Sequence, residues 1–327
     1  MNGNGLDFEA PLRELEKKIV ELESFQANKG YDLQEPISRL REQLERTSKE
    51  IFSNLTPWQK VQVARHLDRP TALDYVEMIC SDFVELHGDR AFRDDPAMVC
   101  GFARLDGRPI MVIGQQRGRT TKERLTCNWG MAHPEGYRKA LLKMKLAEQF
   151  RTPIVALIDT AGAYPGIEAE ERGQPHAISN NLLEMLKIRV PIISVVIGEG
   201  GSGGALGIAV ANRLCMFEHS TFSVISPEGC SSILFRTAEK RAQAAEALKL
   251  TGDDLSKLGI IDEVIHEPLP AAHWNRKGAA TNLKASLIRN LDELSQQTPD
   301  ELVAGRRRKY RNIGDFTEEA TSQVAGS

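Results

Sequence analysis

The chain has 327 residues, 41% of them hydrophobic and 27% charged, with a formal net charge of −3. That is enough chain for a large core in one or two domains, with the balance of an ordinary globular protein. A near-neutral charge leaves no footprint for nucleic acid or an anionic membrane, and no apolar run reaches the roughly eighteen residues of a spanning helix.

The N-terminus, Met1 to Glu9, lacks both the basic-then-apolar layout of a secretion signal and the Arg/Ser bias of a transit peptide, which points to the cytoplasm. The five cysteines, Cys80, Cys100, Cys127, Cys215 and Cys230, are odd in number, widely spaced and without a CxxC pair. Reduced thiols and no metal site are expected.

Residues 7–53 read as two amphipathic helices, with Leu12, Leu15, Ile19 and Leu22 and then Ile37, Leu40 and Leu44 at helical spacing, punctuated by Lys29-Gly30. Such an α-hairpin packs on the body or reaches a partner. Thr56-Pro57-Trp58-Gln59 opens a further helix with Thr as N-cap, Pro at N1 and Gln at N3. Another helix is predicted over Ala72 to Leu86. Met98–Leu105 and Pro109–Gly114 flank Asp106-Gly107 and predict a β-hairpin. Helices and strands then alternate: helix Glu135–Phe150, strand Pro153–Ile158, helix Pro175–Ile188, strand Pro191–Ile197, helix Ala205–Ala211, and strands Leu214–Phe217 and Thr221–Ser226. A helix over Ala238–Leu250, a strand over Ile260–Ile265, and helices Ala279–Ser295 and Asp300–Tyr310 complete the chain. The pattern is an α/β domain with parallel strands.

Between the strand ending at Ile197 and the following helix lies Gly198-Glu199-Gly200-Gly201-Ser202-Gly203-Gly204. Glycines there present bare backbone N–H groups to something negative or becoming negative. Gly198-x-Gly200-x-x-Gly203 fits a dinucleotide fingerprint with Glu218 as the ribose carboxylate. Gly200-x-Ser202-x-Gly204 fits a nucleophile elbow. An oxyanion hole built on the Gly203 and Gly204 amides needs no further side chain. The elbow requires an acid and then a histidine downstream; Asp262, His266 and His273 are available, but Asp262 and His266 sit four apart at a strand end. The dinucleotide glycines normally open the first βαβ unit, whereas strand–helix units precede them here.

A second glycine-bearing loop, Asp159-Thr160-Ala161-Gly162-Ala163-Tyr164-Pro165-Gly166, follows the strand 154–158. Ligands in open α/β sheets sit beyond the carboxyl ends of strands, so the two loops can face one crevice. Asp159 serves either as a turn cap or directly. The segment 115–124 gathers Arg117, Arg119, Lys122 and Arg124 around Gly118, suited to a carboxylate or phosphate or simply to solvent. Arg306 to Arg311 reads as a solvated helix end.

Several blocks together are specific: Leu6-Asp7-Phe8-Glu9, Leu73-Asp74-Tyr75, His87-Gly88-Asp89-Arg90, Arg104 to Pro109, Pro134-Glu135-Gly136-Tyr137-Arg138-Lys139-Ala140, Gly162 to Gly166, Ala169 to Gln174, the glycine stretch, and Ser226-Pro227-Glu228-Gly229-Cys230. Through them, in order, the chain resembles the α subunits of bacterial-type acetyl-CoA carboxylase carboxyltransferase. The resemblance implies a crotonase-like (ClpP/crotonase) spiral of ββα units, with a helical extension over 1–95, the carboxyltransferase core over 96–268, and a C-terminal helical extension over 269–327. It implies transfer of a carboxyl group from carboxybiotin, on a biotin carboxyl carrier protein, to acetyl-CoA, giving malonyl-CoA for fatty acid synthesis. The implied partners are a β subunit in an α2β2 assembly, which carries the zinc, and biotin carboxylase in a larger complex; nothing is bound covalently here. Gly203 and Gly204 become the amides that hold the ureido oxygen of biotin, with Gly162, Ala163, Tyr164, Arg117 and Arg119 as substrate-binding candidates. The chain departs from the family in having Ala161 for a usual Pro, and Gln115 and Arg117 where His and Lys are common. Two rivals remain, a serine hydrolase using Ser202 and a catalytically silent assembly subunit.

Overall fold

The structure is a computed structural model that describes residues 5–29 and 31–314. Helices α1 (Ala10–Lys29) and α2 (Gln34–Phe52) form the expected pair; Gly30 lies outside the described residues. The base of the pair packs on the body, Leu12 and Phe52 meeting Val63 and Ala271, while Val20, Phe25 and Tyr31 are exposed toward its far end. Buried Glu9 shares a 2.7 Å hydrogen bond with His273 Nε2 and accepts Trp274 Nε1–H at 3.1 Å, and His66 stacks on His273. This cluster ties the Leu6–Glu9 block to the C-terminal part of the chain.

Helix α3 (Pro57–Ala64) begins with the predicted capping box: Thr56 accepts Gln59 N–H while the Gln59 side chain reaches back. Helix α4 (Ala72–Ile79) stops short of the expected boundary, because Cys80–Glu85 forms strand β1 instead. Its neighbour decides this: β1 pairs antiparallel with β2 (Met98–Leu105), and Gly101 leaves room for Phe83 and the Val84 carbonyl. Strand β2 turns into β3 (Arg108–Gln115) through Asp106 and Gly107, both at positive φ (53° and 81°), as a primed turn requires.

The chain continues through α5 (Thr121–Thr126), α6 (Pro134–Gln149), β4 (Ile154–Thr160), α7 (Ile167–Glu171), α8 (Gln174–Met185), β5 (Ile192–Gly201) and α9 (Ser202–Leu206). After these come β6 (Arg213–Phe217), β7 (Thr221–Ser223), α10 (Pro227–Phe235), α11 (Arg241–Leu248), α12 (Gly252–Lys257), β8 (Glu263–Ile265), α13 (Arg276–Leu294) and α14 (Pro299–Arg311). Strand order is β1-β2-β3-β4-β5-β6-β8, antiparallel up to β3 and parallel beyond it, with β7 added to the far end of β5. One core cluster packs α6, α8 and α9 against the sheet through Tyr137, Met144, Met185 and Ala205. A second packs α4, α13 and α14 through Tyr75, Val76, Leu283, Leu287 and Leu302.

Two expectations change here. The first part of the glycine stretch, Gly198 to Gly201, is strand rather than turn: β5 runs ten residues, and Glu199, Gly200 and Gly201 pair with Thr221, Phe222 and Ser223. The helix expected over 205–211 therefore starts earlier, at Ser202, and ends at Leu206. The basic run is not uniformly solvated either. Arg306 is fully buried, donating to the carbonyls of Met185 (2.6 Å), Ile188 (2.8 Å) and Val190 (3.0 Å) and to Asn212 Oδ1 (2.5 Å). Its guanidinium fits because those carbonyls end α8 and the loop after it, where no backbone donor follows.

Candidate active site

Strands β4 and β5 run parallel and side by side, so their carboxyl ends and following loops are adjacent. The loops touch backbone to backbone. A Cβ at Gly201 would stand 2.1 Å from the Ala161 carbonyl oxygen, and one at Gly204 would stand 2.4 Å from the Ala163 nitrogen. Only glycine permits that approach. Gly203 is different: it is half-exposed, and a Cβ there would meet nothing closer than Ile178 at 3.9 Å. Ser202 enters α9 at φ 52°, a left-handed turn that swings the chain out of the strand. As first-turn amides, Ser202, Gly203 and Gly204 have no acceptor within the helix.

The β4 loop is held from below. Gly162 N–H donates to Thr160 Oγ1 at 3.2 Å, so this amide is already engaged, and the same hydroxyl donates to the Gly162 carbonyl at 2.7 Å. Ala163 packs on the core. Tyr164 N–H donates to the Ala132 carbonyl, its ring stacks on His133 with centroids 4.2 Å apart, and its carbonyl accepts Gln174 Nε2 at 3.0 Å. A hydrogen bond to Glu168 pushes the Tyr164 phenol up.

Asp159 sits under both loops. Its Oδ1 accepts Glu199 N–H at 3.0 Å and Arg117 Nη1 at 3.1 Å, and Gly198 has no room for a side chain because that oxygen would lie 2.5 Å from its Cβ. Burial pushes this carboxyl up, and the Arg117 charge opposes it. Glu199 also receives Arg65 (2.6 Å from Nη2), which bridges to Glu228 at 2.7 Å. Arg69 donates to the Ile197 carbonyl at 2.7 Å and pairs with Glu267. Three arginines thus fix the last residues of β5 to the surrounding elements.

The structure brings Gly204 against Gly162 and Ala163, with Gly203 and Tyr164 beside them along the chain, and it places Arg117 on Asp159. Arg119 lies apart: its guanidinium is about half exposed and pairs with Asp74 and Glu77 on α4. The acid and base of an elbow triad are committed elsewhere, Asp262 to Leu214 N–H and Lys309, His266 to Glu218. Ser202 is a turn residue. The dinucleotide pattern also dissolves, because Glu199, Gly200 and Gly201 form ladder pairs with β7 rather than a phosphate cradle, and Glu218 receives Glu267 N–H.

Residues 5–314 match the family model described as acetyl co-enzyme A carboxylase carboxyltransferase-like. The chain belongs to that family. Named relatives include the acetyl-coenzyme A carboxylase carboxyl transferase subunit alpha of Staphylococcus haemolyticus, 54% identical over 96% of this chain and 100% of that protein. The subunit of the same name from Methylococcus capsulatus is 53% identical over 97% and 98%. Among solved structures, transcarboxylase 12S superposes with a TM-score of 0.57 at 20% identity, covering 70% of this chain and 42% of that one. The β subunit of P. aeruginosa geranyl-CoA carboxylase gives 0.54 at 19% identity, covering 75% and 46%. A Pseudomonas malonate decarboxylase hetero-tetramer gives 0.53 at 17% identity, covering 65% and 85%. These likenesses carry the fold, which is crotonase-like as expected.

Seen as a carboxyltransferase-like chain, several sequence blocks turn out to be scaffold. Glu135, fully buried at the start of α6, accepts Arg93 (2.8 Å) and Arg172 (3.1 Å), joining two of the blocks to each other. Residues missed in the sequence are Arg65, Arg69, Tyr137 and Asn181. The last donates to the carbonyls of Tyr137 and Gly207, both at 3.0 Å, and so locks α6 to the end of the glycine turn. Tyr137 belongs to the Pro134–Ala140 block; the others carry no local signal, since their partners are distant in sequence.

Proposed function

We infer that this chain is the α subunit of an acetyl-CoA carboxyltransferase, active with a β subunit in an α2β2 assembly. Its substrates are carboxybiotin, brought by a biotin carboxyl carrier protein that a biotin carboxylase recharges, and acetyl-CoA. When the N–CO2 bond of carboxybiotin breaks, the electron pair stays with the ureido group and negative charge appears on its oxygen. The Gly203 and Gly204 amides face that charge as it forms, which favours the transition state over the ground state. The biotin anion takes a proton from the acetyl methyl group, and the resulting carbon attacks CO2, so no protein base is needed.

The observation that supports this site is the contact of Gly204 with Gly162 and Ala163 beside an open Gly203. It makes a rigid double loop with one unobstructed side. Removing one oxyanion donor costs about 3 kcal/mol of barrier stabilisation. Reconstituted with its β subunit, the protein carboxylates biotin at the expense of malonyl-CoA in the reverse direction. An assembled pair without that activity overturns the reading and favours an assembly subunit.

A further inference from the structure

We propose that Gln115 is the positioning residue of this site, bridging the end of β4 to the glycine turn and fixing the peptide plane that adjoins the Gly204 amide. The proposal rests on the assignment of the Gly203 and Gly204 amides above. Its basis is the backbone bonding of the turn. Gly207 N–H donates to the Gly203 carbonyl, Ile208 N–H to Ala205 and Ala209 N–H to Leu206, so the succession skips the Gly204 carbonyl. Side chains fill the gap: Gln115 Nε2 donates to it at 2.8 Å and the Tyr137 hydroxyl at 3.2 Å.

Gln115 is fully buried at the last position of β3, and its other end completes the link. Ladder pairing between β3 and β4 ends at Gly114 with Leu157, and the next free strand amide, Asp159 N–H, donates to Gln115 Oε1 at 3.2 Å. One primary amide therefore serves as an extra peptide group between two strands and a turn. Donor and acceptor are both used, so the side chain is held at two points. The Gly204 carbonyl shares its peptide plane with the Ala205 N–H, and the Gly203 carbonyl, whose plane carries the Gly204 N–H, is held by Gly207 N–H. With both planes about the Gly204 Cα fixed, the Gly204 N–H cannot turn without breaking one of these contacts, and a shift of about an ångström in a catalytic group lowers rates on the order of 100-fold.

From β4 the Asp159 backbone N–H meets Gln115, the Asp159 carboxyl being turned to Arg117 and Glu199 N–H, and from α6 the Tyr137 phenol shares the Gly204 carbonyl with it. Burial pushes that phenol up, so it stays a donor throughout the working range. A histidine at 115 separates the two functions: neutral imidazole offers one donor and one acceptor, while imidazolium has two donors and leaves Asp159 N–H without an acceptor.

The test uses the reconstituted pair and steady-state malonyl-CoA-dependent transfer. Gln115→Leu is expected to lower kcat about 100-fold with KM unchanged. Gln115→His is expected to recover much of kcat at pH 8 and to lose it on acidification, at a pH below the ordinary imidazole value of about 6.5 because the position is buried, against a wild-type profile measured in parallel. Wild-type kcat in Gln115→Leu, or a Gln115→His profile that parallels wild type, overturns the proposal; if Gln115→Leu does not fold, the histidine profile decides alone. Gly204→Ala is measured beside them. Unimpaired transfer in that variant overturns the amide assignment itself, whereas impaired Gly204→Ala with unimpaired Gln115→Leu overturns only the role of Gln115.

Discussion

Gly204 lies in backbone contact with Gly162: a Cβ added at 204 would stand 2.3 Å from the Gly162 carbonyl carbon. No side-chain rotation relieves such an overlap, so Gly204→Ala must separate the two loops. Overpacking of this kind costs about 1–3 kcal/mol. Turnover should fall along with Tm. Gly203→Leu should behave otherwise, because its side chain enters open space beside Ile178. Transfer is expected to fall with Tm close to wild type, read by differential scanning calorimetry and by biotin carboxylation. Equal loss of Tm in both variants would contradict the different surroundings of the two glycines.

Arg117 and Asp159 give a second contrast. The Asp159 carboxyl is pushed up by burial, and the Arg117 guanidinium 3.1 Å away opposes that. In Arg117→Met the carboxylate keeps its burial and loses its counter-charge, at a cost of about 3 kcal/mol at neutral pH. A raised folded-state pKa means that the penalty is largest at high pH and is relieved as pH falls and Asp159 takes a proton. Urea unfolding at pH 8 and pH 6 should therefore show the larger destabilisation at pH 8. Loss of substrate affinity with unchanged stability would instead assign Arg117 to direct binding.

Much of this architecture is legible in the sequence because it is local. The runs at 110–114, 154–158 and 192–197 are apolar and β-branched enough to specify buried strands, and Asp106-Gly107 specifies the turn between β2 and β3. Strand β1 was not legible, since Cys80–Glu85 owes its extended state to pairing with β2. Nor was the support of the site. Arg65 reaches Glu199 across 134 residues and Gln115 reaches Gly204 across 89, and no periodicity encodes a hydrogen bond over such a distance. The glycines mark where backbones must meet, without saying which backbone arrives.

The Arg69–Glu267 pair contributes to the acid sensitivity of the fold. Both side chains are buried, 2.5 Å apart, and Glu267 also accepts Ala272 N–H at 2.7 Å. Burial alone would push its carboxyl up; the Arg69 charge and these hydrogen bonds win and hold it at about 2, below its ordinary 4.5. The stabilisation, about 3 kcal/mol, is complete above pH 4.5 and disappears as pH falls toward 2. Glu267→Gln should be less stable at pH 7 and show a shallower loss on acidification, followed by circular dichroism. An acid limb as steep as that of wild type would place the linkage on other carboxylates.

Arg306 is a buried charge without a carboxylate partner, and it ties down the C-terminal helix. Burial pulls its guanidinium down to about 10, yet at neutral pH it remains a cation serving three carbonyls and Asn212. Arg306→Leu fills similar volume but leaves the carbonyls of Met185, Ile188 and Val190 without this donor, at about 1–3 kcal/mol for each that water cannot reach. Arg306→Lys keeps the charge and loses the planar fork that reaches several acceptors at once. Both variants should lose stability, leucine more than lysine, and α14 should become the first site of proteolytic cleavage. Unfolding by urea and limited trypsin digestion read the two effects separately. Wild-type resistance in Arg306→Leu would mean that Leu302 and Tyr310, which pack α14 on the core, suffice to hold it there.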